Sequence, residues 1–437
     1  MSMNEVFDVV VVGAGFAGIT AARDLTAEGK SVVVLEGRDR IGGRTYTDDK
    51  IGRAVELGGA YVHWTQPNLW REMQRHGLEL STPVPIDRVH WLADGALHSG
   101  TEVEFDALAG PGMERFVEDA REHFPYPHDV HTADIGEIDL ETFTDRMKRL
   151  DLDPAERDML DGILSYTVAA PDQQAVSQIL RWAALYFGEW RVLWESGAYW
   201  RITTGTKSLI EAIAAESSAD IRLSTPVSAI ANDGGGVRVT TRVGETIRAK
   251  SVIVTVPVNA LNTIEFSPAL NEGSQRLVDE GHPMRNRKIW VRAKGEIEAF
   301  TAYAPLGANP ITIAMTEYRL DGDTLIVCFC PDATAIDPDD KDAVQDALRA
   351  YVPDLEVVDT DGHDWADDEF SQGTWMMMRP GQLSSAVPDI QKPHGHVYFA
   401  GSDIAPSFVG WIEGALESGA LAARNVVRDQ AATTPRA

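Results

Sequence analysis

The sequence predicts an α/β protein in which a doubly wound, Rossmann-like domain is interwoven with an α+β domain, the latter a mixed sheet plus a helical insertion. Three observations predict it. A strand, a glycine-rich turn, a helix and a second strand follow one another near the start: 7-FDVVVV-12, 13-GAGFAG-18, 19-ITAARDLTAEG-29 and 31-SVVVLE-36. Helical texture rich in Trp and Tyr then runs from about 100 to 200 before strands return. A last strand and turn, 397-VYFAGSD-403, leads into a helix-like stretch, 408-FVGWIEGALESGALAARNV-426.

The first unit reads as β-α-β, because its strands are continuously apolar, as a parallel sheet buried on both faces requires. Gly13, Gly15 and Gly18 form G-x-G-x-x-G between strand and helix. The first two allow a tight turn with backbone N–H groups against a pyrophosphate. The third allows helix to pack closely on strand. Glu36 ends the second strand, where an acid accepts hydrogen bonds from ribose hydroxyls and repels a 2′-phosphate. Two further glycine clusters follow: 38-RDRIGGRTYT-47, with Gly43 and Arg44, and 56-ELGGAYVHW-64, with Gly58, Gly59, Ala60 and Tyr61. So many close backbone approaches suit a long cofactor threaded through the protein, which favours FAD over NAD.

Beyond these, 156-ERDMLDGILSYTV-168 and 176-VSQILRWAALYFGEW-190 read as helices. Strand texture marks 221–233, 237–242, 251–257, 288–294, 311–318 and 324–330, followed by a helix over 341–352. No internal repeat breaks this alternation.

Lys and Arg total 39 against 67 for Asp and Glu, a net charge of −28 that argues against nucleic acid as a partner. The two cysteines, Cys328 and Cys330, alternate in the apolar run 325-LIVCFC-330 and so share one strand face, buried and reduced. The start shows no basic leader or cleavage site, the run 9-VVVV-12 is too short to span a bilayer, and the tail 427–437 is polar. A cytoplasmic protein without membrane contact is the expectation, and a homodimer is compatible with it.

Six ordered motifs resemble the flavin-dependent monoamine oxidase family across nearly the whole chain. They are 13-GAGFAG-18, 38-RDRIGGRTYT-47, 57-LGGAYV-62, 202-ITTGTKSL-209, 252-VIVTVPVNAL-261 with 266-FSPAL-270, and 398-YFAGSD-403 leading to 410-GWIEGALESG-419. The resemblance implies an FAD domain of residues 1–80, 203–284 and 391–437, and a substrate domain of 81–202 and 285–390. It also implies that Phe16 and Ala17 join the glycines at the cofactor, that Glu36 holds the ribose, and that Arg38 and Arg44 lie along FAD. Val227 would offer its backbone to adenine. Gly401, Ser402 and Asp403 form the turn beside the cofactor, Asp403 standing where a Glu is more usual. Trp411 and Ile412 open the last helix, whose N-terminus would face the flavin pyrimidine.

For the chemistry, Lys288 matches the family's lysine that holds a water near flavin N5. Trp375 and Trp411 match the two walls of the aromatic cage. Thr374 stands where some members carry a flavin-linked cysteine, so the FAD is expected to be non-covalent. Trp64, Tyr166, Trp194 and Tyr199 are candidates to line the substrate space. There is no metal-ligand cluster, nucleophile–base pair or suggestive carboxylate pair, so the redox work falls to the cofactor. The expected reaction takes a hydrophobic alicyclic or aromatic amine to an imine, hydrolysed to aldehyde or ketone plus ammonia, with O2 reduced to H2O2. Open alternatives are a nicotine-type secondary amine, an L-amino acid held by Arg201, Arg285 or Arg379, and a desaturase or porphyrinogen-type oxidase on the same fold.

Overall fold

The computed structural model describes residues 6–131 and 134–433; the last residues of the polar tail lie outside them. Two large sheets organise the chain. The first is eight-stranded and has a parallel core, in which Val6–Val12 pairs with Val32–Leu35 on one side and Thr246–Val254 on the other. Asp220–Arg222 extends it beyond Val32–Leu35, and Val397–Phe399 pairs in parallel with the last residues of Thr246–Val254. Strands from the beginning, middle and end of the chain therefore lie side by side. Val9, Val10 and Val11 have no exposure, as central parallel strands require.

The C-terminal ends of four of these strands point the same way and are followed by Gly13, Glu36, Thr255 and Ala400, all of which line one cavity. That edge is where open α/β sheets bind ligands. The first helix, Phe16–Ala27, starts earlier than the sequence texture suggests, with Gly15 as its N-cap. Its N-terminal N–H groups thus come directly from the glycine turn. The last helix, Ile412–Thr433, packs across it at Gly419, where a Cβ would come within 2.2 Å of the Ala17 carbonyl oxygen. Only glycine permits that approach.

The second sheet is seven-stranded, ordered Val357–Gly362, Arg287–Ala293, Asp323–Cys330, Ile313–Leu320, Phe300–Tyr303, Arg88–Ala93 and Ala96–Gly100. Period-two alternation separates its faces. Ile289, Val291, Cys328 and Cys330 pack under the helix Lys341–Arg349, whereas Trp290, Val327 and Phe329 face Leu57 and Tyr61 of the nucleotide-side loops. Both cysteines are free thiols and fully buried. Helices Glu102–Val117, Pro154–Leu164, Ser177–Leu185 and Trp190–Ala198 form the insertion over the cavity. The single helix expected over 176–190 is interrupted by Phe187 and Gly188, both in the left-handed region. No helix among the described residues is long and apolar enough to cross a membrane.

Candidate active site

One continuous cavity runs from Gly13, Gly15, Phe16 and Ala17, past Gly43, Arg44, Gly58, Gly59, Ala60 and Tyr61, to an aromatic chamber. Gly18 is not in its wall. A Cβ there would meet the Gly13 carbonyl, which is the close packing expected of the third glycine.

At the nucleotide end, Glu36 is buried and accepts from Ala14 N–H (2.7 Å) and Arg38 N–H (2.9 Å). A carboxylate offers about four acceptor positions, so capacity remains for hydroxyls while the acid braces the glycine turn. The Arg38 guanidinium donates to Asp368 and Ser371 and flanks the cavity. Val227 and Pro226 line the same end. Further along, Arg44 donates to Ser402, Asp403 and the Thr374 carbonyl, joining three segments distant in sequence. Asp403 accepts Val258 N–H through its other oxygen. Burial works to raise its pKa, but Arg44 and His282 overcome this and hold the carboxyl below its ordinary value. The shorter acid is therefore turned toward the protein, and it fixes Arg44 at the cavity wall.

Lys288 lies on the cavity face of Arg287–Ala293, buried, with Nζ donating to the carbonyls of Gly58 (2.5 Å) and Glu56 (3.3 Å). The rings of Tyr61 and Phe329 stand 5.6 Å from Nζ. Burial pushes its pKa down to about 8, with Glu56 opposing and Arg201 adding to the effect. An ammonium has three donors, so one remains for a molecule in the cavity.

Trp375 and Trp411 both line the chamber. Gly410, with φ of +83°, puts the two loops in contact, since a Cβ there would lie 3.3 Å from Cβ of Trp375. Tyr166 stacks on Trp375 with ring centroids 5.2 Å apart, and its hydroxyl donates to the Gly197 carbonyl. Trp182 meets Trp411 edge-on. Trp194 and Tyr166 belong to the lining, but Trp64 and Tyr199 do not. Trp64 is 45% exposed and stacked on His63, and Tyr199 is 42% exposed against Trp200. Their rings pack near the surface against His63 and Trp200. Ile179, Trp182, Leu193, Tyr303, Met315 and Phe329 line the chamber instead. For Phe329 the signal was present, since alternation places it opposite the buried cysteines.

Ile412 and Ala415, at the start of the last helix, also border the cavity. Glu413, the acid of 410-GWIEG-414, does not. It accepts Asn68 N–H, Asn68 Nδ2 and Leu69 N–H, and so caps the helix Pro67–Arg75. Burial raises its pKa.

An elongated, glycine-walled cleft at the C-terminal strand ends, with an acid at one end and an aromatic chamber at the other, fits a flavin dinucleotide. The buried Thr374 hydroxyl, unpartnered in the cavity wall, adds to that fit. Comparison with known proteins agrees. Residues 16–427 match the family model described as flavin containing amine oxidoreductase. The chain is 37% identical over 427 residues to a pseudooxynicotine dehydrogenase of Pseudomonas sp, covering 96% of this chain and 86% of that protein. It is 35% identical over 426 residues to a nicotine dehydrogenase of Pseudomonas putida (strain DSM 28022 / S16), covering 96% and 88%. The structure of cyclohexylamine oxidase from Brevibacterium oxydans IH-35A superposes with a TM-score of 0.82 at 20% identity, over 98% of this chain and 100% of that one, which shows a shared fold. The chain belongs to the flavin-containing amine oxidoreductases and is an FAD enzyme acting on amines.

Proposed function

We propose that the protein oxidises a hydrophobic monoamine carrying an alicyclic or aromatic ring, and that the ring enters the chamber between Trp375 and Trp411. The observation that carries this reading is the charge distribution of the cavity. Its acids, Glu36 and Asp403, belong to the cofactor end, and the charged groups of the strand that borders the chamber, Arg287 and Lys288, are cations. A diamine would leave its distal ammonium unpaired among aromatic rings, at a cost of several kcal/mol.

The cations once available for an amino-acid carboxylate are engaged elsewhere. Arg201 is paired with Glu317, Arg285 donates to the Ala366 carbonyl, and Arg379 donates to Gln173 and the carbonyls of Glu280 and Gly281. None of the three lines the cavity. This favours a plain amine over an L-amino acid.

FAD would be held by the glycine turn, Glu36, Arg44 and the N-terminus of the last helix, with Thr374 in place of a thiol, and therefore without a covalent link. Bound there, it supplies the acceptor for a hydride equivalent from the carbon beside the amine nitrogen, and water hydrolyses the resulting imine to a carbonyl product and ammonia. The rings of Tyr166, Trp194, Trp375 and Trp411 exclude water and so favour the neutral, reactive form of the amine. Lys288 orders a water or oxygen species at its free donor. The two sheets correspond to two interwoven domains, 1–80, 203–284 and 391–437 against 81–202 and 285–390. A nicotine-type secondary amine is a second reading, favoured by the relatives named for nicotine and pseudooxynicotine. Those relatives are also named dehydrogenases, so an acceptor other than O2 belongs to that reading.

A turnover panel with an artificial electron acceptor tests the substrate class. Benzylamine, cyclohexylamine or nicotine should exceed putrescine in kcat/KM by roughly a hundredfold or more, the equivalent of an unpaired buried charge. Putrescine or an L-amino acid matching the apolar amines would overturn the proposal.

A further inference from the structure

Asn286 immediately precedes the strand Arg287–Ala293, two residues before Lys288, and both line the cavity. It is 1% exposed, and neither its Oδ1 nor its Nδ2 has a hydrogen-bond partner. A carboxamide carries two donors and an acceptor, and burying it unpaired is unfavourable unless a ligand or water completes it. Thr374 repeats the pattern: its Oγ1 is buried, unpartnered and part of the same wall. The two residues are neighbours, because Thr374 N–H donates to the carbonyl of Met284 at 3.1 Å, two residues before Asn286. The Thr374 carbonyl is in turn held by Arg44, the side chain tied to Asp403 and Ser402. The backbone that carries Thr374, and through Met284 the segment that carries Asn286, is thereby tied to Arg44 and Asp403 at the cofactor side of the cavity.

We propose that Asn286, assisted by Thr374, is a flavin-positioning residue whose Nδ2 donates to a heteroatom of the isoalloxazine edge and registers the ring against Lys288. This rests on FAD occupying the cavity. A donor on a flavin heteroatom is worth more once the ring has gained electron density, as hydrogen bonds to charged acceptors are the stronger ones. Asn286 therefore raises the two-electron potential. Asn286→Leu removes both polar atoms at similar volume, and Thr374→Val does the same for the hydroxyl.

The test is the midpoint potential of the purified holoenzyme, measured by dye equilibration, together with its visible spectrum and the KM of the amine used as reductant. Asn286→Leu should shift the reduction equilibrium about tenfold toward the oxidised form, about 30 mV for a two-electron couple. The flavin band should move, and KM should change less than about threefold. Thr374→Val should shift the potential in the same direction by less, and it decides the matter if the leucine variant does not fold. An unchanged potential and spectrum with only a lower melting temperature would show that water satisfies the carboxamide and would overturn the proposal. So would a KM raised tenfold at constant potential, which would put Asn286 on the amine. Wild-type protein without a flavin band would instead remove the underlying reading.

Discussion

Lys288→Met is expected to slow electron transfer to O2 by about a hundredfold or more, while anaerobic reduction by amine changes by less than about threefold. A hundredfold is about what a single positioned proton donor or charge contributes in a dry site. Two backbone carbonyls fix Nζ of Lys288, two aromatic faces flank it, and burial brings its pKa to about 8. Near neutral pH the group is charged but gives up its proton readily. The oxygen step in the wild type should therefore fall as pH rises through about 8, and the methionine variant should lack that step. The same shift has a stability consequence of definite sign. Between about 8 and the ordinary lysine value of 10.5, the unfolded chain binds a proton that the folded chain does not, so stability rises with pH across that window. Below it the buried ammonium is a standing cost, which Lys288→Met removes. Stopped-flow measurement of the two half-reactions separates the cases, and equal slowing of both would refute the role.

Glu317→Ala should cost about 3–5 kcal/mol of folding stability, the range for leaving one member of a buried ion pair alone. Arg201 and Glu317 are 4% and 1% exposed and form an ion pair behind the cavity wall. The Arg201 guanidinium lies over the rings of Tyr61 and Tyr318, and the Tyr61 hydroxyl donates to Glu317 at 3.0 Å. Removing the acid strands a charge and a phenol together. The double variant Arg201→Met, Glu317→Leu should recover most of the loss, since an apolar replacement of a buried pair is often neutral. Urea midpoints followed by tryptophan fluorescence measure both. A loss below about 1 kcal/mol for the single variant would mean that water reaches the guanidinium.

Much of this architecture is legible in the sequence, for local reasons. The β-α-β unit declares itself because a continuous apolar strand, a glycine turn and a helical run each follow from neighbouring residues. The hairpin Arg88–Ala93 and Ala96–Gly100 carries an equally local signal, Asp94–Gly95 between alternating segments. Both turn residues adopt positive φ. What the sequence withholds is tertiary. Arg44 and Asp403 meet across more than three hundred residues, and nothing local says that Arg201 pairs with Glu317 while Lys288 is held by two backbone carbonyls at the cavity wall. Aromatic texture likewise does not say inward or outward: Tyr166 and Trp194 reach the chamber, whereas Trp64 and Tyr199 pack on the surface. Glu413, set among glycines beside Trp411, caps the Pro67–Arg75 helix, a tertiary contact that no local pattern announces. Asn286 could have been found from the period-two register of its strand with Lys288.

The central claim is that this cavity brings an amine to a flavin. Anaerobic titration of the holoenzyme with cyclohexylamine, benzylamine or nicotine, followed at the flavin band near about 450 nm, tests it most directly. The account predicts complete bleaching at about one equivalent of a good substrate per FAD, with a carbonyl product and no need for O2. Bleaching by a carotenoid or a porphyrinogen, and by none of the amines, would contradict it.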